Sequence, residues 1–289
     1  MTLQAITSQQ KKQFKRFVED ACDRVLENAD LDKNGLQKLL ERGGEFQSRI
    51  VTAVQELSVS NQYAGEEVAS SYGYLSGYEP KSIAEQVEVL RELFPELGSI
   101  DEGLAEADLP ANAEGWFAIP RWEKIADTYG EAVDKVLALL SKTRGGRFHN
   151  YRQGQLGSRY LRQHERTVVM LERFGEAQSD HDILVVPAQF GLMHRGRSVR
   201  RAREVFKASE FGLGAFQIVC MLLTHPERLQ HLNDLWIDCA GDEFSPGGDG
   251  DFSGAPCINF DDGGVGFGTH WVGSARGDYG SGSGFLPQS

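Results

Sequence analysis

Residues 182–208 have the sequence DILVVPAQFGLMHRGRSVRRAREVFKA, and within them the character of the chain changes. Residues 182–187 are apolar, partly β-branched and bounded by turn-forming residues, which predicts a buried strand. Ser198 is a favoured N-cap residue, and the apolar positions after it recur at helical spacing up to residue 208. This stretch therefore predicts a strand followed by a helix.

The sequence before this stretch is mainly helical in pattern. Apolar residues recur every three or four positions in several segments: 8–29, 83–94, 122–140 and 159–174. We therefore expect a mainly helical region over residues 1–175 and a mixed α/β region over residues 176–289. The two regions either form separate bodies or share one core.

The sequence after this stretch combines helices with short strands. Residues 235–239 and 257–260 have strand-like composition. The tetrapeptide Asp-Asp-Gly-Gly at 261–264 predicts a hairpin turn, with the chain returning through residues 265–272. We therefore expect an α+β fold, in which a helical N-terminal body packs on a smaller C-terminal unit with a short antiparallel sheet.

The charges are unevenly distributed along the 289 residues. The net charge is −12, yet residues 142–207 contain 14 Lys and Arg against 6 Asp and Glu. The segments on either side are acidic. The basic segment either neutralises its flanks within one fold or presents a face that binds anions.

The composition also indicates where the protein works. The chain contains no apolar run near the roughly 20 residues that a membrane-spanning helix needs. The N-terminal residues lack the apolar core of a signal peptide, so we expect a cytoplasmic protein without a membrane partner. The four cysteines form no CxxC pair, and all four are expected to be free thiols in a reducing compartment.

The first candidate site is the arginine-rich segment 194–203. Five arginines precede or open the predicted helix: Arg195, Arg197, Arg200, Arg201 and Arg203. A helix N-terminus together with guanidinium groups suits a phosphate or carboxylate, so an anionic ligand is one hypothesis, and nucleic acid or another polyanion is the corresponding partner. The alternative is that these arginines pair with acidic residues of the same chain.

The second candidate site matches the calcium-binding EF-hand pattern. Its ligand positions are Asp30, Asp32, Asn34 and Glu41, and Gly35 stands where the loop requires a sharp turn. The features that weaken the match are Gly43-Gly44, which interrupts the exit helix, and the lack of a second loop. The alternative is a polar turn in which Asp32 or Asn34 caps a helix.

The third candidate site lies in the acidic C-terminal loops. Asp238, Asp242 and Glu243 follow a predicted strand, and such carboxylates are able to hold a divalent metal ion. Aspartate and glycine are also common turn residues, which is the structural alternative. No HExxH motif, P-loop or GxSxG serine elbow accompanies them, so the sequence designates no catalytic residue.

Several stretches resemble a family of uncharacterised proteins from bacteria of the candidate phyla radiation. They include VPAQFGLMHRGRSVRRAREVF at 186–206, LWIDCAGDEFSP at 235–246 and AEGWFAIPRWEKIA at 113–126. The resemblance extends over nearly the whole chain, but it implies no activity, cofactor or catalytic residue.

Three functional hypotheses follow from these observations. The favoured one is a binding protein that holds an anionic ligand through residues 195–203. The second is an enzyme that uses calcium or another divalent metal ion, with the acidic C-terminal loops as the metal site. The third is a structural or interaction protein whose charges serve folding and docking.

Overall fold

The computed structural model describes residues 6–27, 31–58 and 61–287. The chain forms two compact units, Met1–Ser60 and Asn61–Ser289. The division therefore lies near residue 60 and not near residue 175. The reason is that strands from both sides of residue 175 pair within the second unit.

The first unit is helical. It contains α1 (Ser8–Glu27), α2 (Lys33–Glu41) and α3 (Gly43–Ser58). Asp32 is the N-cap of α2, and its side chain accepts a hydrogen bond from the backbone NH of Gly35. Large apolar side chains such as Phe17 and Leu40 are exposed to solvent in this unit.

The second unit contains five further α-helices and all of the described strands. The helices are α4 (Ile83–Leu93), α5 (Tyr129–Thr143), α6 (Glu165–Ala177), α7 (Val199–Val205) and α8 (Ala215–Thr224). The strands are β1 (Gly115–Pro120), β2 (Phe148–Asn150), β3 (Leu161–Gln163), β4 (Ile183–Gln189), β5 (Glu210–Gly212), β6 (Trp236–Asp238), β7 (Asp242–Phe244), β8 (Gly254–Asp261), β9 (Gly264–Trp271), β10 (Tyr279–Ser281) and β11 (Ser283–Phe285).

These strands form two sheets. The first is antiparallel and has the order β1-β4-β11-β5. The second is mixed and has the order β10-β6-β8-β7-β3, with β9 pairing with both β8 and β2. The second unit therefore combines helices with one antiparallel and one mixed sheet. The expected α+β fold is confirmed.

One hydrophobic core extends through the second unit. Every residue of β4 is buried, because this strand lies inside its sheet and its neighbours β1 and β11 both pair with it. Helix α8 is buried along its whole length and packs against α5. The core includes residues of α4, α5, α6 and α8, so the parts before and after residue 175 share it, whereas Val199 and Ala202 of α7 belong to a smaller second cluster.

The hairpin at residues 261–264 is confirmed. Strands β8 and β9 pair in antiparallel register from Gly254↔Trp271 to Asp261↔Gly264. Asp262 and Gly263 both have positive φ, as the favoured two-residue hairpin turn requires. Glycine meets this requirement at residue 263 without steric cost.

Some predicted elements have different bounds in the structure. The helix capped by Ser198 ends at Val205, and residues 210–212 form β5, which pairs with β11. The next helix, α8, starts at Ala215. Within the segment 159–174, which was expected to be helical, Leu161–Gln163 form β3. The helix α6 begins only at Glu165.

Two further predictions concern the membrane and the cysteines. Among the described residues, no helix is both long and apolar enough to cross a membrane. Cys22, Cys220, Cys239 and Cys257 are free thiols, as expected. Cys22 is exposed, whereas the other three are buried in the second unit.

Candidate ligand-binding cleft

The arginine-rich segment is largely engaged by acidic residues from a distant part of the chain. Arg200 donates through Nε to both carboxylate oxygens of Glu66, at 2.9 and 2.8 Å, and its Nη2 donates to the same group. Its guanidinium also lies over the rings of Tyr63 and Trp271, at 4.4 and 4.8 Å from their centroids. The hydrogen bond from Arg200 lowers the pKa of Glu66, which keeps the carboxylate charged.

Other arginines of the cluster have partners of the same kind. Arg201 contacts Glu67 at 2.5 Å and Glu204 at 2.9 Å, and Arg197 Nε lies 3.4 Å from Glu67. Arg203 turns inward and donates to the backbone carbonyls of residues 240 and 242. Of the five arginines, only Arg195 keeps an exposed side chain.

These contacts correct the prediction of an anion-binding face at residues 195–203. The basic segment is neutralised by carboxylates more than 100 positions away in the sequence, such as Glu66 and Glu67. The sequence pattern does not reveal which of the two alternatives applies, because the partners come from a long loop with no regular periodicity.

A buried polar chain lies beside this segment. Arg197 Nη1 lies 3.0 Å from His194 Nδ1, and a guanidinium only donates, so the imidazole hydrogen is on Nε2. His194 Nε2 then donates to Glu210 at 2.6 Å, and Ser283 Oγ donates to the same carboxylate at 2.7 Å. Burial opposes the charge on Glu210, but the hydrogen bond from His194 lowers its pKa. Because Ser283 bonds to the carboxylate and not to the imidazole, the chain joins β5 and β11 and does not form a nucleophilic triad.

The acidic C-terminal residues are separated by their partners. Asp238 Oδ1 lies 2.6 Å from His270 Nε2, and Glu243 pairs with Arg162 at 2.7 Å. Asp242 is buried, accepting from the Tyr129 hydroxyl at 2.8 Å and from the backbone NH of Ala215 at 2.7 Å. Burial raises the pKa of Asp242 to about 7.

This arrangement corrects the prediction of a divalent metal site at Asp238, Asp242 and Glu243. Each carboxylate has its own protein partner, and the three do not converge on a common point. In the part of the chain that the structure describes, no group of three or more His, Cys, Asp or Glu side chains is placed to hold a metal ion.

The EF-hand prediction is also corrected. Asp30 lies outside the described residues, but the rest of the motif is helical from Lys33 to Glu41, with Asn34 in the first turn. Asp32 and Glu41 stand at opposite ends of this helix, which is about 13 Å long. Calcium ligands lie within about 2.6 Å of the ion, so these two carboxylates do not reach one ion. Asp32 is instead the helix cap that the alternative predicted.

A concave site of the second unit lies between α6 and the edge of the first sheet. It has a volume of about 610 Å³, which is within the usual range for small-molecule sites. Its apolar wall is formed by side chains from β1, the turn after it, α6 and β4: Ile119, Pro120, Trp122, Val168, Leu171 and Leu184.

The polar groups of this cleft come from four different segments. Gln163 at the end of β3 and Gln217 in α8 lie in the lining, and Nε2 of Gln163 is buried without a hydrogen-bond partner. Glu123, Glu172 and Glu176 supply carboxylates at the rim.

Sequence reasoning did not identify this cleft. The spacing of Val168, Leu171 and Glu172 on a helix is visible in the sequence, but it only predicts a helix with an apolar side. The opposite wall depends on the pairing of Ile119 in β1 with Leu184 in β4, across 65 residues of sequence. Local patterns contain no signal for that pairing.

Comparison with known proteins adds no assignment to this geometry. No protein-family model, curated protein or solved structure matches the chain.

Proposed function

We propose that the second unit is a binding protein that holds a small organic molecule in the cleft between α6 and β1. The observation that carries the proposal is a cavity of about 610 Å³ whose lining combines an apolar wall with a few amide and carboxylate side chains. Sites for small molecules combine these features: an apolar surface provides affinity and a few fixed polar groups provide orientation.

The proposal keeps the binding role favoured from the sequence but places it elsewhere. Arg200, Arg201 and Arg203 hold the segment around Glu66 and the loops near residue 240 in place, so their role is structural. The cleft, in contrast, has polar groups whose hydrogen-bonding capacity is not used by the protein.

The test is a fragment screen by ligand-observed NMR with a variant in which the cleft is filled. Val168 is half-buried on α6 and lines the cavity, so Val168→Trp should occupy the site with little change to the core. Fragments that bind the wild-type protein should lose their signal with this variant. The matched control is Ala138→Trp, which places the same bulk on an exposed position of α5.

The screen distinguishes a specific site from surface adsorption. Fragment binding that survives Val168→Trp, or is lost equally in Ala138→Trp, would contradict the proposal. Circular dichroism of both variants should show the wild-type helix content, which confirms that the lost signal reflects the filled cleft.

A further inference from the structure

The first unit leaves the apolar side of α1 uncovered. Five apolar residues recur at helical spacing along this side and are called the α1 stripe: Phe14, Phe17, Val18, Ala21 and Val25. Phe17 is 61% exposed and Val25 is 55% exposed. Among the described side chains of residues 6–27 and 31–54, none is buried. Because helices owe most of their stability to the packing of an apolar face, the α1 stripe needs a surface to cover it.

The charges of α1 are divided between its two halves. Residues 8–17 contain three lysines and one arginine and no acidic residue, so this half has a net charge of +4. Residues 18–27 contain four acidic residues against Arg24, so this half has a net charge of −3. The α1 stripe therefore runs from a basic half of the helix into an acidic half.

This order of charges opposes the helix macrodipole. The N-terminal end of a helix is positive and favours acidic side chains, whereas the C-terminal end is negative and favours basic ones. In α1 the lysines lie in the N-terminal half and the acidic residues in the C-terminal half. The stability of α1 as a single helix therefore does not account for the order, but a partner with the reverse order does.

A second copy of α1 in antiparallel orientation is such a partner. The basic half of each helix then lies beside the acidic half of the other, and the two macrodipoles point in opposite directions. The two stripes cover each other along their length. A parallel arrangement would instead place like charges side by side.

We propose that the chain forms a homodimer in which two copies of α1 pack antiparallel through the α1 stripes. The helix of 20 residues is about 30 Å long, so the interface is small and the dimer should have a Kd of about 10–100 µM. The proposal concerns the first unit and does not rest on the ligand-binding cleft.

The experiment measures the mass of the full-length protein by sedimentation equilibrium at low salt. Protein concentrations between about 2 and 300 µM bracket the expected Kd. The weight-average mass should rise with concentration from the 32.0 kDa of one chain towards twice that value.

Two charge variants test the orientation and the location of the interface. The first, Lys11→Glu/Lys12→Glu/Lys15→Glu, makes both halves of α1 acidic. Like charges then face each other in the antiparallel pair, so self-association should weaken at least about tenfold. The new glutamates lie near the positive end of the macrodipole, so they favour the helix itself. Circular dichroism should show no loss of helix.

The second variant, Glu19→Lys/Asp20→Lys/Asp23→Lys, makes the C-terminal half basic and should weaken self-association to a similar extent. An equimolar mixture of the two variants should dimerise at least as tightly as the wild type, because an acidic helix then meets a basic one. The matched control for the first variant is Arg91→Glu/Lys142→Glu/Arg173→Glu. It makes the same change in net charge at exposed positions of the second unit and should dimerise like the wild type.

Several outcomes would overturn the proposal. One is a wild-type protein that remains at the mass of one chain at the highest concentration, and another is a mixture of the two variants that stays monomeric. Dimerisation that neither variant weakens would place the interface elsewhere, and an equal loss in the control would show an effect of overall charge. A monomeric protein that co-sediments with vesicles of equal parts phosphatidylcholine and phosphatidylserine would assign the α1 stripe to an anionic membrane instead.

Discussion

Arg200 combines an ion pair with cation–π contacts within the arginine-rich segment 195–203. Its guanidinium bonds to Glu66 through two nitrogens and lies over two aromatic rings. Ser198 also donates to Glu66, at 2.6 Å, so the N-cap of α7 and the ion pair share one carboxylate. A single substitution at this point therefore disturbs both the loop around residue 66 and the start of α7.

We predict that Arg200→Ala lowers the free energy of unfolding by about 1–2 kcal/mol. A partly exposed ion pair contributes up to about 1 kcal/mol and each cation–π contact about 0.5–1 kcal/mol. Urea denaturation followed by tryptophan fluorescence measures the change. All four tryptophans lie between residues 116 and 271, so the signal reports on the second unit.

The control for this prediction is Arg91→Ala, which removes an exposed arginine from the last turn of α4. Its effect on stability should be clearly smaller. A binding assay with duplex DNA at low salt belongs in the same experiment. Salt-dependent binding that is lost in Arg200→Ala, without loss of stability, would favour the anion-binding hypothesis over the structural role.

At the scale of the element, α8 depends on a cap from another part of the chain. Its N-cap residue is Gly214, which has no side chain to accept from the free NH groups of the first turn. Asp242 at the start of β7 supplies the missing capping acceptor, since its carboxylate accepts a hydrogen bond from the NH of Ala215. Tyr129 in α5 donates to the same carboxylate. One buried carboxyl group therefore connects α5, α8 and the second sheet.

We predict that Asp242→Ala destabilises the second unit by about 2–3 kcal/mol, because it leaves a buried hydroxyl and a helix NH without an acceptor. Asp242→Asn retains one acceptor oxygen and should lose less. Chemical denaturation of both variants measures the difference. Asp134→Ala, at an exposed position of α5, should have almost no effect. An equal loss in the Ala and Asn variants would contradict the capping role.

The elements also show what the sequence could and could not predict. The strand at 182–187 and the hairpin at 261–264 were predictable, because composition and turn chemistry are local signals. The Gly/Ser run at 276–284 was not recognised as β10 and β11. A Cβ atom on Gly280 would lie 2.2 Å from the carbonyl oxygen of Gly191. Glycine at this position therefore allows two backbone segments to approach closely, and it does not indicate a flexible linker. The cleft was missed for the related reason that its walls meet only through long-range strand pairing.

At the scale of the whole molecule, buried titratable groups make opposite contributions to the pH dependence of stability. Burial lowers the pKa of His164 and of His225 to about 4, from an ordinary value of 6.5. Their folded forms bind fewer protons than the unfolded chain between these values, so they stabilise the fold above pH 6.5. That contribution is lost as the pH falls from 6.5 towards 4.

Two other groups act in the opposite direction. The pKa of Asp242 is raised from 3.8 to about 7, so the folded protein holds a proton there that the unfolded chain has released. Burial disfavours the charged form of His270, but the nearby Asp238 carboxylate outweighs this and raises its pKa. The stability from both groups is present at lower pH and is lost as the pH rises through their folded pKa values.

We therefore predict that the second unit is most stable near pH 6.5. The free energy of unfolding should fall by about 1–2 kcal/mol between pH 6.5 and pH 5, where two histidines outweigh one aspartate, at about 1.4 kcal/mol per proton and pH unit. It should fall only slightly, by less than about 1 kcal/mol, between pH 6.5 and pH 8, because the protons lost by Asp242 and His270 are largely balanced by those that the unfolded chain still releases from His164 and His225. Urea denaturation at pH 5, 6.5 and 8, followed by tryptophan fluorescence, measures both slopes. Asp242→Asn should reduce the alkaline loss and enlarge the acidic loss, because asparagine has no proton to release and no longer opposes the two histidines. A stability that keeps rising from pH 6.5 to pH 8 would show that the buried Asp242 is already ionised at pH 6.5 and that Tyr129 and the N-terminus of α8 hold it as a carboxylate.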